Sequence, residues 1–518
     1  MTAAVADIEA PPRLTGLALW LCGVLIALAN FVAILDISVA NVSVPNIAGA
    51  LGISVTQGTW VITSYAVAEA VMVPLTGWLA TRFGAVKVFV VAFVGFGLAS
   101  LLCGCAPNFP LLVLFRVIQG ICGGPLMPLS QTLLMTVFPK KLHPAALAIW
   151  AVTTIIAPIL GPVTGGTLCD AFGWGSIFLV NVPICLLAAV FVWRWLQAYE
   201  TPARKDRMDF VGLVLLVVWV GALQIMLDLG RTHDWFESPL IVTLGVIAVV
   251  GFTYFVIWEL TATHPVVNLS VFRHRGYSIG MVALALTVGA FFATNVIIPL
   301  WLQTIMGYPA VWAGYAASSR GLSALIAAPI AARLMTKVDP RWLICAGVLW
   351  LAFVTLVFAF STTDMNFGHI ELWMFLTGFG FPLFFLPLIA MTLADVRSDE
   401  IASASGLQNF IRTMATAVAI SISTTQWESN GNAGLGQVQA TIGAGANSAM
   451  KGAMVMQQMR GGDRLQLDAV FELLTRKQAV MLATNGIFVA CATVYLLCAA
   501  AVWLVPKPAG ELKGPMGH

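Results

Sequence analysis

The sequence predicts an all-α polytopic membrane protein with fourteen transmembrane helices, and three observations carry that prediction. Hydrophobic residues make up 59% of the 518 residues and charged residues only 9%, against about 25% charged in an ordinary soluble domain. Such a chain cannot clothe a water-exposed surface. The apolar residues fall into runs of about 20, the length that crosses a bilayer. The positive residues cluster in alternate loops, which fixes an orientation.

Apolar windows fall near 14–37, 54–80, 86–105, 110–137, 144–168, 175–197, 210–229, 239–259, 277–304, 311–334, 342–361, 371–394, 401–425 and 479–505. The N-terminal MTAAVADIEAPPR has no basic region or small-residue cleavage site, so the first window reads as a retained helix rather than a signal peptide. With the N-terminus inside, the short inner loops hold Arg82, Lys87, Lys140, Lys141, Arg204, Lys205, Arg207, Arg273, Arg275, Lys337, Arg341 and Arg397, and the short outer loops hold only Arg231. Fourteen spans then put both termini in the cytoplasm. The one long loop, 426–478, is expected outside. Its stretch 430–450, rich in Gly, Ala and Asn, reads as flexible, and Leu467, Val470, Phe471 and Leu474 follow at amphipathic helical spacing.

A weak internal repeat supports two related halves. PLTGWLATRFGAVK at 74–87 and PIAARLMTKVDPRW at 329–342 align Pro74 with Pro329, Leu79 with Leu334, Thr81 with Thr336 and Arg82 with Lys337. Internal repeats of this kind mark transporters, with the site between the halves. The layout is six helices in 1–200, two extra helices with their linkers in 201–275, and six helices in 276–518.

Other classes find little support. The nine cysteines fall mostly inside apolar runs and read as buried hydrophobes; Cys103 and Cys105 have no second metal-spaced pair. No metal site and no cofactor is expected. GYSIG at 276–280 matches a hydrolase nucleophile pattern, but it opens a transmembrane helix instead of sitting in a strand-turn-helix. The His233-Asp234 pair reads as a solvated loop. No nucleotide-binding segment or basic–aromatic nucleic-acid surface is present, and neither an enzyme nor a channel fits as well as a carrier.

Several stretches together resemble the major facilitator superfamily, and within it the fourteen-helix drug:proton antiporters of the EmrB-like family. They are LDISVANVSVP (35–45), WVITSYAVAEA (60–70), GWLATRFGAVK (77–87), LVLFRVIQG (112–120), APILGPVTGG (157–166) and LDLGRTHDWF (227–236). The resemblance covers nearly the whole chain. It implies a major facilitator fold in a 6 + 2 + 6 arrangement. It also implies export of drug-like or amphipathic compounds driven by protons, and residence in the bacterial inner membrane. The partners it implies are a periplasmic adaptor and an outer-membrane channel. Export of one natural compound, such as a fatty acid or an aromatic acid, is the alternative. The 77–87 motif departs from the family pattern, because Thr81 stands where an acid is common.

The charges inside apolar runs are the candidate coupling residues, since a charge at bilayer depth is costly and tends to be kept for function. Asp36 and Arg116 lie at similar depth in helices that the resemblance places on one cavity; they read as a coupling pair or as a static ion pair. Glu69 and Arg412 lie near mid-depth in helices 2 and 13 and are expected to pair in one access state. Arg320 has no obvious acid partner, and Asp228 reads as an interface carboxylate or a proton site. The substrate cavity is expected from Phe31, Gln119, Phe291, Phe292, Asn295, Phe379, Phe381, Phe384 and Phe385. The conformational motifs are Gly77, Arg82, Gly84, Gly120, Gly161, Pro162, Gly165 and Gly166, small or turn-forming residues where helices approach closely.

Overall fold

The computed structural model describes residues 14–201, 209–263, 265–308, 310–362, 365–397, 400–445 and 464–505. No β-strand occurs among them. The long helices are α1 Gly16–Leu51, α2 Trp60–Phe83, α3 Ala85–Gly104, α4 Phe109–Val137, α5 His143–Phe172, α6 Asn181–Leu196, α7 Phe210–Leu229, α8 Pro239–Thr261, α9 Arg275–Thr304, α10 Ala310–Met335, α11 Pro340–Ala359, α12 Phe367–Ala394, α13 Ile401–Gly445 and α14 Arg464–Ala501.

Short connections end in polar caps that satisfy the first free N–H groups of the next helix. Asn108 accepts from Leu111 N at 3.0 Å to start α4, and Asp209 from Val211 N and Gly212 N, both at 3.0 Å, to start α7. Asp339 and Asn366 start α11 and α12 in the same way. Helix α4 breaks at Gly124–Pro125, where proline removes a backbone donor and crowds the preceding turn.

Helices α1–α6 pack among themselves, and so do α9–α14. The two halves meet through α5 on α10 and through α2 and α4 on α13. Helices α7 and α8 form a hairpin that packs on α2 and α13. Trp219 of α7 fixes that position: its ring lies 5.0 Å from Phe252 and 5.9 Å from Phe255 of α8, and 5.8 Å from Phe410 of α13.

Twelve helices among the described residues are long and apolar enough to cross a membrane; α10 and α13 fall short of that measure. The physical reason is their position. One face of each packs on the other half, and they carry Ser318, Ser319, Arg320 and Ser323, and Gln408, Asn409 and Arg412, respectively. The segment expected as a flexible outer loop begins differently. Helix α13 runs without a break for 45 residues to Gly445, and α14 is helical from Arg464. The two support one another: Trp427 Nε1 donates to Thr484 Oγ1 at 2.8 Å. The side chains of Leu467, Val470, Phe471 and Leu474 lie outside the described residues. Helix α1 likewise continues past its expected end near 37 to Leu51, through Pro45.

Candidate transport site

The aspartate of LDISVANVSVP sits in a sealed polar cluster. Arg116 Nη1 donates to Asp36 Oδ2 at 2.5 Å and to Gln119 Oε1 at 2.7 Å, and Arg116 Nε donates to the Val61 carbonyl at 2.8 Å. Gln119 Nε2 and Asn181 Nδ2 each donate to Asp36 Oδ1 at 2.9 Å; Gln119 Nε2 also donates to Ser100 Oγ at 2.8 Å. The guanidinium lies 4.3 Å from the centre of the Tyr65 ring. Asp36 is 2% exposed, and Arg116 and Gln119 are fully buried. Five helices, α1, α2, α3, α4 and α6, thus converge on one ion pair. Gln119, expected to touch substrate, instead bridges the pair; its amide satisfies the second carboxylate oxygen and cannot also face a cavity. Asn181 and Ser100 are not legible in the sequence, because a single polar residue in an apolar run gives no sign of a partner on another helix.

Glu69 and Arg412 are both buried, at 7% exposure each. They are not joined as an ion pair in this conformation. The Tyr65 hydroxyl donates to Glu69 Oε1 at 3.4 Å. Arg412 lies 5.3 Å from the Trp150 ring centre and 5.9 Å from that of Phe385, with Met127 Sδ 2.5 Å from its Nη2. The two charges still lie within electrostatic reach of each other. Asp228, at the end of α7, accepts from Gln224 Nε2 at 3.2 Å and faces Thr63 of α2.

The halves are tied by a cluster of amides. Gln131 Nε2 donates to Gln408 Oε1 at 2.9 Å, and Asn409 Nδ2 donates to Gln131 Oε1 at 2.9 Å; Gln408 also bonds Thr392. These residues stand at the end of α4 and the start of α13, on the membrane side of the α2–α3 loop. Beside them Trp150 and Phe385 stack with centroids 6.3 Å apart. Gly77 lies against Ser403 so closely that a methyl there would sit 2.6 Å from its hydroxyl.

The aromatic candidates divide. Phe291, Phe381, Phe384 and Phe385 are buried and pack on one another, so in this conformation they form a closed wall instead of an open cavity. Phe31, Phe292, Asn295 and Phe379 are partly exposed; Asn295 Oδ1 is buried without a partner. A cavity of about 570 Å³ lies elsewhere, between α2, α4 and α7, among side chains that include Trp60, Val71, Trp78, Val117 and Val217.

The conformational motifs are mostly contact points. Gly120 lies on the Tyr65 carbonyl, Gly161 on Ser38 and Gly165 on Val39. Gly166 meets nothing within 4 Å, so close packing does not explain it. The Pro162 side chain lies outside the described residues. Gly84 has φ +94°, a region that favours glycine, and starts α3. The start of α3 is capped from afar. Glu200, just after α6, accepts from Val86 N at 3.1 Å and Lys87 N at 2.9 Å, and Thr201 Oγ1 accepts from Ala85 N at 2.9 Å. Arg82 stands in the last turn of α2, where positive charge is favoured.

An all-helical, many-span bundle whose halves meet around buried charges defines a membrane transporter. A profile of the Major Facilitator Superfamily matches residues 26–420. The chain is 40% identical over 497 residues to the fatty acid resistance protein FarB of Neisseria gonorrhoeae, covering 96% of this chain and 98% of FarB. It is 39% identical over 510 residues to the multidrug export protein EmrB of Escherichia coli K12, covering 97% and 98%. The human organic anion transporter MFSD10 (TETRAN) shares the fold with a TM-score of 0.57 at 13% identity, over 92% of this chain and 99% of that one. The chain therefore belongs to the Major Facilitator Superfamily, with EmrB-like relatives matching along nearly its whole length. Its candidate spans and bacterial relatives place it in the bacterial inner membrane.

Proposed function

We propose that the protein is a proton-coupled antiporter that exports drug-like or amphipathic compounds by alternating access. In this reading α10 and α13 complete fourteen spans, with residues 1–200 and 276–518 as the moving halves, 201–275 as the inserted pair and both termini in the cytoplasm. The observation that carries it is Glu69: a buried carboxylate on α2, held off from Arg412 of the opposite half, on the pair of helices that join the halves. An unpaired carboxylate of this kind takes a proton in one state and gives it up when Arg412 approaches. With the amide cluster closed on the cytoplasmic side, the conformation is the one that has shut off the interior. Energetically one proton suffices: a proton-motive force of ~150 mV is worth about 3.5 kcal/mol, roughly 300-fold accumulation. We further propose that a periplasmic adaptor and an outer-membrane channel continue the route outward, and that no cofactor is used. The similarity to FarB favours a second reading, a dedicated exporter of fatty acids.

The test is lumenal pH in proteoliposomes with an imposed pH gradient while ethidium is added. Wild type should move protons on ethidium addition, and Glu69→Gln should cut that flux at least tenfold. Proton movement with fatty acids but not with ethidium selects the second reading; none with either rejects antiport.

A further inference from the structure

We propose that Arg320 is the docking group for the carboxylate of an anionic amphiphile, whose apolar body lies along the ring wall from Phe291 to Trp150; this rests on the export reading and names its substrate class. Arg320 stands ten residues into α10, about 15 Å along the helix and so near the bilayer midplane, where carriers of repeated halves place their sites. Its Nη1 is buried and makes no hydrogen bond. No carboxylate among the described residues pairs with it, and the one titratable side chain that acts on it is the buried phenol of Tyr495.

The other two interior arginines have acids: Arg116 is bonded to Asp36, and Arg412 lies within reach of Glu69. The third buried carboxylate, Glu259, stands near the end of α8 and accepts from Val267 N, which leaves Arg320 without a partner acid. An uncompensated charge in a low-dielectric interior costs several kcal/mol. A guanidinium in that position is matched by a planar anion, which it grips through two parallel N–H donors.

The wall beside it is continuous. Arg320 Cζ lies 5.6 Å from the Phe291 ring centre, Phe291 4.4 Å from Phe381, Phe381 4.6 Å from Phe385, and Phe385 6.3 Å from Trp150, over which Arg412 sits at 5.3 Å. Rings from both halves thus run between two guanidinium groups. The rings are closed on one another in this conformation; parted in the opposite access state, they offer a surface to hydrocarbon or aromatic bodies. An acid placed on it meets a guanidinium, which favours it over the neutral ester of the same body.

The experiment titrates the full-length protein in nanodiscs at pH 8 with 11-(dansylamino)undecanoic acid and with its methyl ester, which shares the body and lacks the charge. Empty nanodiscs give the background. Wild type should bind the acid at least tenfold more tightly than the ester. Arg320→Gln should weaken the acid at least tenfold and leave the ester unchanged, and Arg320→Lys should recover part of the difference. Equal affinity for acid and ester in wild type overturns the proposal even if no variant folds; so does an equal loss of both in Arg320→Gln. Proteoliposome transport of the same probes separates the two readings. Acid-selective binding without transport overturns the export reading and leaves Arg320 assigned.

Discussion

At Asp36 a single carboxylate ties α1 to α4 and α6, and Arg116 and Gln119 extend the cluster to α2 and α3. Both of its oxygens are satisfied from inside the N-terminal half, so its first role in this conformation is cohesion. Replacing Asp36 by Ala would strand Arg116 as a buried charge, a loss of about 3–5 kcal/mol. We expect a clear fall in the thermal midpoint of the detergent-solubilised protein. Pairing the change with Arg116→Met should recover most of it; a double variant no more stable than the single one would show that the pair is not what binds the cluster. Glu69→Gln should leave the midpoint near wild type, because the carboxylate pairs with no cation in this state. The sequence alone made Asp36 and Arg116 legible as a pair, since both are charges at one depth. It could not show Asn181, Ser100 or the Val61 carbonyl, because those partners come from other helices and only the tertiary fold brings them near.

At the level of elements, the start of α3 shows a cap that a linear reading hides: Glu200, 113 positions beyond Lys87, accepts from its N–H. Glu200→Ala removes the acceptors of the Val86 and Lys87 N–H groups, a loss of about 1 kcal/mol by the usual cost of a helix cap. Amide hydrogen exchange at Val86 and Lys87 should quicken accordingly, and unchanged protection there would reject the capping role. The stretch 430–450, expected to be flexible, differs in the opposite direction. Gly and Asn have low helix propensity, yet it is helical through Gly445, and Gly431 lies against Val480 of α14. Fourteen apolar windows were legible as elements. The weaker apolarity of α10 and α13 became intelligible only when their faces were seen against the other half.

The whole molecule is two bundles fastened at one end by amides and glycine contacts. If that fastening opens and closes during transport, a bond across it should arrest the cycle. Gln131→Cys with Asn409→Cys, in a background freed of the nine native cysteines, should form a disulfide on mild oxidation. Substrate uptake into everted vesicles should then fall at least tenfold and return with dithiothreitol. Full uptake by the oxidised double variant would mean that this contact does not move. Gly77→Val should act in the opposite sense. Its side chain would collide with Ser403, prise α2 from α13 and raise the labelling of a cysteine at 131 by maleimide several-fold.

Helix α13 is a lever. Near its start it carries Gln408 and Arg412, and the same unbroken rod ends at Gly445, about 65 Å from Ile401 at 1.5 Å per residue, roughly twice the thickness of the bilayer's hydrocarbon. A rigid tilt of only ten degrees about the amide cluster would sweep the far tip through roughly 10 Å. The protonation of a carboxylate at mid-membrane would then be broadcast as a displacement far beyond the lipid, with no second signal needed to carry it.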